Sequence, residues 1–201
     1  MQQKKNYKQQ IKEYVNTSGG IITSKYCREN NIPTIYLNRL VEEGFLFKAR
    51  KGIYLTKDGD YDEFYFFQLQ YPKAIYSYNT ALYFIDKTDK LPNIVDVTVY
   101  NGYKFNKKIR NVDIHYVDKK TYDIGIVEVK TSYGNVVKTY SLERVLCDFL
   151  VHKKEMDIED YLKLVQSYIF DKNKDVSSFY CLIHKMGVVD KIVDVVQIMC
   201  E

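Results

Sequence analysis

Apolar residues near the start recur at the spacing of a helix. Tyr7, Ile11, Tyr14 and Val15 stand at i, i+4, i+7 and i+8, one face of a short helix over about residues 6–16. "TSGG" ends it, because glycine supplies the positive φ of a helix C-terminal turn. Ile21-Ile22 reads as a brief apolar link. Thr23 or Ser24 caps a second helix, "SKYCREN". After the turn "NNI", Pro33 opens a third, "PTIYLNRLVEE", since a first helical turn tolerates a missing N–H. Its inner side is Tyr36, Leu37, Leu40 and Val41, and its outer side Thr34, Asn38, Arg39 and Glu42. Gly44 stops it. "FLFKA" and "GIYLT" then form two short strands joined by a tight basic turn, with Leu46 and Tyr54 anchoring the hairpin and Arg50-Lys51 exposed at its tip.

Downstream, the pattern changes at Asp58. "DGDYDEFYFFQLQYP" is acidic and then aromatic, and "YSYNTALYFI" is a short helical pattern. "VDVTVY", "VDIHYV" and "GIVEVKTS" alternate as half-buried strands do, with "YKFNKKIRN" between the first two as a basic loop or hairpin. Four amphipathic helices follow. They start behind Ser141 and Asp157, run through Phe179–Met186 to Gly187, and end on Val189, Ile192, Val193, Val196 and Met199. The expected fold is α+β: an N-terminal winged helix-turn-helix over 1–57, then a mixed α/β C-terminal domain over 58–201 that ends in a helical bundle.

Charge sharpens this picture. The net charge of +4 is uneven: residues 1–57 carry 11 Lys+Arg against 4 Asp+Glu, and the rest 19 against 22. A basic excess confined to a helix-turn-helix layout points to nucleic acid. Thr34, Asn38 and Arg39 would face the major groove. Lys48, Arg50 and Lys51 would lie on the wing, and Lys25 and Arg28 on the DNA backbone. No signal peptide or membrane-length apolar run is expected, which implies a cytoplasmic protein. The four cysteines are far apart, so free thiols are expected and no metal or other cofactor.

Catalytic signals are thin. Glu128-x-Lys130, with Asp113, is the skeleton of a Mg²⁺-dependent nuclease, but simple strand alternation explains it as well. His115, His152 and His184 read as isolated, and phosphate-loop and nucleophile-elbow motifs are missing. Arg144 and Asp148, at i and i+4, read as an ordinary intrahelical ion pair worth a few tenths of a kcal/mol. No catalysis is expected. The alternatives are a winged-helix nuclease and a ligand-responsive winged-helix regulator.

Several strings together resemble a known family. "GGIITSKYCRENNIPTIYLNRLVEEGFLFKARKGIYL" is similar to the winged helix of AbiEi-type antitoxins, through L-x-x-L-x-x-x-G at Leu37, Leu40 and Gly44 and R-x-G-x-Y at Arg50, Gly52 and Tyr54. "YPKAIYSYNTALYFIDKTDKLPNIVDVTVY" resembles the opening of that family's C-terminal domain, and Glu143, Arg144 and Asp148 match its later E-R-x-x-x-D helix. The resemblance spans about residues 10–150. It implies the antitoxin of a type IV toxin–antitoxin pair, active in phage defence by abortive infection. Such an antitoxin represses its own operon at inverted repeats in double-stranded DNA. It counters a nucleotidyltransferase-like toxin without a stable complex. The candidates for antitoxin function are Lys104, Lys107 and Arg110 in the basic loop, with Glu143, Arg144 and Asp148.

Overall fold

The structure is a computed structural model that describes residues 6–105, 109–154, 157–172, 174–192 and 196. The chain is α+β and divides into two compact units, Met1–Gln70 and Tyr71–Glu201. Among the described residues no helix is long and apolar enough to cross a membrane.

In the first unit, α1 (Tyr7–Thr17) starts on Asn6, whose side chain accepts a hydrogen bond from Gln9 N, and it buries Ile11 and Val15. Gly19 and Gly20 then turn the chain at φ +64° and +77°. Ile21-Ile22 is not a mere link: Ile21–Thr23 is a strand, β1, paired antiparallel with β3 (Ile53–Leu55). Three residues carry too little alternation to announce a strand, so only the partner reveals it. Thr23 caps α2 (Ser24–Glu29) by accepting from Tyr26 N at 3.0 Å. Helix α3 (Ile35–Glu42) begins two residues after Pro33, which holds the turn ahead of it by accepting from Tyr36 N at 3.1 Å. Gly44, at φ +71°, ends the helix by donating to Val41 O.

Strand β2 (Phe47–Arg50) pairs with β3, and the sheet order is β1-β3-β2. Alternation along β1 and β3 splits the core in two. Ile22 and Tyr54 join Ile11, Val15, Leu37, Leu40 and Leu46 under the three helices. Ile21, Ile53 and Leu55 pack instead on Phe66 of α4 (Glu63–Gln70). The first unit therefore runs on to Gln70, past the composition change at Asp58. Counted to Gln70, it carries 11 Lys+Arg against 8 Asp+Glu, so its net charge is +3.

The second unit is built on a five-stranded sheet, order β6-β5-β4-β8-β7. These strands are β4 (Ile75–Tyr76), β5 (Val95–Tyr100), β6 (Val112–Val117), β7 (Ile126–Lys130) and β8 (Val136–Tyr140). β5 and β6 are parallel, so the basic segment between them is not a hairpin: it must carry the chain back to the sheet's other end. The helices are α5 (Tyr78–Phe84), α6 (Lys119–Tyr122), α7 (Leu142–Val151), α8 (Ile158–Ile169) and α9 (Val176–Met186). The expected caps of α7 and α8 are present on Ser141 and Asp157, and Gly187 ends α9 at φ +66°. Leu82, Val145, Phe149, Leu164, Phe179 and Ile183 share one core with Ile192 and Val196. Val193 and Met199 of the last expected helix lie outside the described residues.

Candidate nucleic-acid interface

Helix α3 sorts its residues sharply. Leu37 and Leu40 are fully buried against α1 and the sheet, whereas Thr34, Ile35, Asn38, Arg39 and Glu42 are exposed. Thr34 occupies the N-cap position in αR conformation and makes no side-chain cap bond. The Arg39 guanidinium lies 5.0 Å from the centre of the Tyr36 ring, and Tyr36 rests on Tyr7 at 5.2 Å. That stacking restricts the arginine while leaving its donors turned to solvent. On α2, Arg28 and Lys25 are exposed, and Lys25 stands 3.8 Å from Glu29 one turn on. The buried neighbour between them, Cys27, has its thiol pushed up to about 11 by burial, with Arg28 pulling weakly the other way.

The hairpin departs from expectation at one position. Lys51-Gly52 forms its two-residue turn, with Gly52 at φ +77°, and a bulge at Ala49 shifts the register between Lys48 and Arg50. Lys48 and Lys51 are exposed. Arg50 is not free at the tip: it donates to Glu63 at 2.8 Å and to the Tyr61 hydroxyl at 3.3 Å, half-buried against the start of α4. The bulge turns its side chain from the tip toward the acidic "DGDYDE" stretch. Among the described residues, the cations left exposed on the hairpin are therefore Lys48 and Lys51.

The candidates of the second unit fall into two kinds. Lys104 and Arg110 are exposed on the β5–β6 connection, while Lys107 lies outside the described residues. Around Lys104 the rings of Tyr103, Phe105 and Tyr71 pack in a chain, at 5.0 Å for the first pair and 5.1 Å for the second. On α7, Glu143 is half-buried, but Arg144 is fully buried and Asp148 nearly so. Arg144 Nε donates to both Asp148 oxygens at 3.0 Å, and Nη1 to Thr121 O and Ile124 O at 2.6 and 2.7 Å. Its guanidinium sits 4.2 Å from the Tyr140 ring centre, and Gly125 comes so close that a Cβ there would lie 2.7 Å from Arg144 Cβ. Burial raises the Asp148 carboxyl, and Arg144 pulls it back only in part. This is no surface ion pair of a few tenths of a kcal/mol. It is an internal strut tying α7 to the end of α6, and its i, i+4 spacing gave no sign of that depth.

The histidine and acid readings also change. His115 is not isolated: its Nε2 lies 2.9 Å from Asp96, and its ring stacks 4.1 Å from Tyr78. Register explains the meeting, since parallel pairing sets Thr98 beside His115 and Asp96 beside Asp113 on one sheet face. Glu128 and Lys130 are exposed on β7, at the opposite edge of the sheet from Asp113 on β6. Four strand spacings separate them, roughly 19 Å, too far for one metal ion. Among the described residues no group of three acidic, histidine or cysteine side chains could hold a metal. A cavity of about 350 Å³ opens between α5, α8 and the segment before β5, lined in part by Asp96, Asp113, Asp160, Lys90 and Lys163.

The residue that sequence reasoning missed on α3 is Ile35. Its polar neighbours in the helical wheel, Asn38 and Arg39 at i+3 and i+4, were the available signal that it faces outward. Compared with models of known protein families the chain matches none, and none of the curated proteins compared with it matches either.

Proposed function

We propose that the first unit is a winged helix-turn-helix that places α3 in the major groove of double-stranded DNA, and that the chain is a transcriptional autorepressor and the antitoxin of a type IV toxin–antitoxin pair. What carries the DNA reading is α3 itself: buried leucines on one side and exposed Thr34, Asn38 and Arg39 on the other. Lys48 and Lys51 stand on the hairpin that follows. The α2–turn–α3 order and a hairpin paired back onto β1 support the same reading. The antitoxin role rests on the resemblance of residues 10–150. Lys104 and Arg110 are its best-exposed candidates.

The test is titration of the full chain against the promoter upstream of its own gene. Lys51→Ala should weaken binding and lower the slope of log affinity against log salt by about 0.9, the signature of one lost phosphate contact. Arg50→Ala should change the slope less, because its charge is already shared with Glu63. Asn38→Ala should cost about 1–3 kcal/mol at the cognate site and little on random DNA. An unchanged salt slope in Lys51→Ala sinks the wing assignment, and failure to bind the promoter sinks the whole reading. Co-expression with a neighbouring nucleotidyltransferase-like gene checks the antitoxin half, through rescue of growth that Lys104→Ala/Arg110→Ala impairs.

The cavity favours a second reading, a regulator whose second unit binds a small charged ligand between acidic and basic walls. Thermal-shift screening against amino acids and nucleotides decides it: no stabilisation at millimolar concentration, or stabilisation that Asp113→Ala leaves intact, removes it.

A further inference from the structure

Ile35 is the first residue of α3 and 51% exposed, although its neighbours at the inner face are fully buried. Among the described residues, the cluster beneath α3 is made by Leu37 and Leu40, with Tyr36 and Val41 beside them, and does not include Ile35. Its place on the helix is instead at the centre of the outer face, next to Thr34 and one turn before Asn38 and Arg39.

We infer that Ile35 is a specificity residue that reads the 5-methyl group of a thymine, an assignment that rests on the DNA-binding reading of α3. Three physical facts meet at this position. The N-terminal residues of a helix lying in the major groove are the ones that reach base edges. The thymine methyl is the only apolar feature in the major-groove pattern of an unmodified base pair, and apolar side chains recognise it. Isoleucine, branched at Cβ, is held close to one χ1 rotamer in a helix, so presenting its methyls to the groove costs little rotamer entropy. Asn38 complements it: an amide one turn on suits the N6/N7 edge of adenine. Ile35 and Asn38 together therefore select an operator half-site with A·T pairs under the start of α3, and Arg39, stacked on Tyr36, is placed to take a guanine beyond them.

The experiment uses the full chain and the duplex it protects in its promoter. Each thymine of the protected site is replaced singly by deoxyuridine, which removes the methyl and nothing else. At one thymine per half-site the wild-type affinity should fall about fourfold, the equivalent of one buried methyl at about 0.8 kcal/mol. Ile35→Ala should bind thymine and deoxyuridine duplexes equally well, with the salt slope unchanged, and Ile35→Val should keep part of the discrimination. Because Ile35 is exposed and alanine favours helices, circular dichroism should report an intact fold in the variant. Sequence-specific binding that is indifferent to every deoxyuridine overturns the assignment of Ile35 and leaves the DNA reading standing. So does Ile35→Ala that discriminates as well as wild type. A chain that protects no promoter DNA removes the DNA reading first, and this assignment with it.

Discussion

Replacing Arg144 with alanine should destabilise the second unit by about 3–5 kcal/mol, the cost of leaving a buried carboxylate without its counter-ion. The structure sets that scale. Arg144 is fully buried, both oxygens of Asp148 lie 3.0 Å from its Nε, and the carbonyls of Thr121 and Ile124 have its Nη1 as donor. Alanine strands the Asp148 carboxylate and takes the donor from Ile124 O, while Thr121 O keeps a backbone donor in Ile124 N. For a unit of this size the loss corresponds to a drop in Tm of roughly 10–20 °C. Since the chain has no tryptophan, urea unfolding is best followed by far-ultraviolet circular dichroism. Lys163→Ala is the control, because Lys163 and Glu159 have the same i, i+4 spacing on α8 but are both exposed, and it should leave the midpoint where it was. Arg144→Met/Asp148→Leu should recover part of the loss, since it removes both charges and leaves only Ile124 O without the donor it had from Arg144. If Arg144→Ala costs less than about 1 kcal/mol, Arg144 is no internal strut. The result also bears on the proposed antitoxin role: loss of growth rescue in Arg144→Ala would follow from destabilisation, whereas loss in Glu143→Ala, on the half-buried side of α7, would point to contact.

Alkaline stability should report two buried tyrosines. Tyr122 is pushed up to about 12, mainly by burial and secondarily by the charge of Asp123, and Tyr140 is pushed further by burial, with Arg144 opposing. Both hydroxyls titrate near 10 when unfolded, so their contribution is intact below about pH 10 and is lost as pH rises through 12. The urea midpoint should accordingly fall across that window, and complete tyrosine ionisation near pH 10 with an unchanged circular dichroism spectrum would contradict it. Thiol labelling offers a separate check. Burial pushes Cys27 to about 11 and Cys147 to about 12, while Cys181 is exposed. At pH 8 only roughly one in a thousand Cys27 thiols and one in ten thousand Cys147 thiols is ionised. Iodoacetamide mapped by mass spectrometry should mark Cys181 and spare Cys27 and Cys147 until denaturant is added. Labelling of Cys147 within tenfold of the Cys181 rate would refute its burial.

The sequence alone determined the elements whose signals are local. Helix faces at 3.6-residue spacing, caps at Ser141 and Asp157, and stops at Gly44 and Gly187 need only nearby residues, and within α1, α3, α7, α8 and α9 each is found where the pattern puts it. The exposed side of α3 was legible for the same reason, apart from Ile35, whose apolar character hid its orientation. Tertiary structure decided whatever depends on a partner distant in the chain. Three residues at Ile21–Thr23 become a strand only because β3 lies beside them, and α4 belongs to the first unit because Phe66 fills the far side of that sheet. Parallel pairing of β5 with β6 joins Asp96 to His115, while strand order keeps Asp113 and Glu128 apart. Arg50 turns from the hairpin tip to Glu63, and Arg144 goes from an ordinary helical pair to a buried strut. In both cases the spacing was visible and the burial was not, and burial sets how much a charge matters.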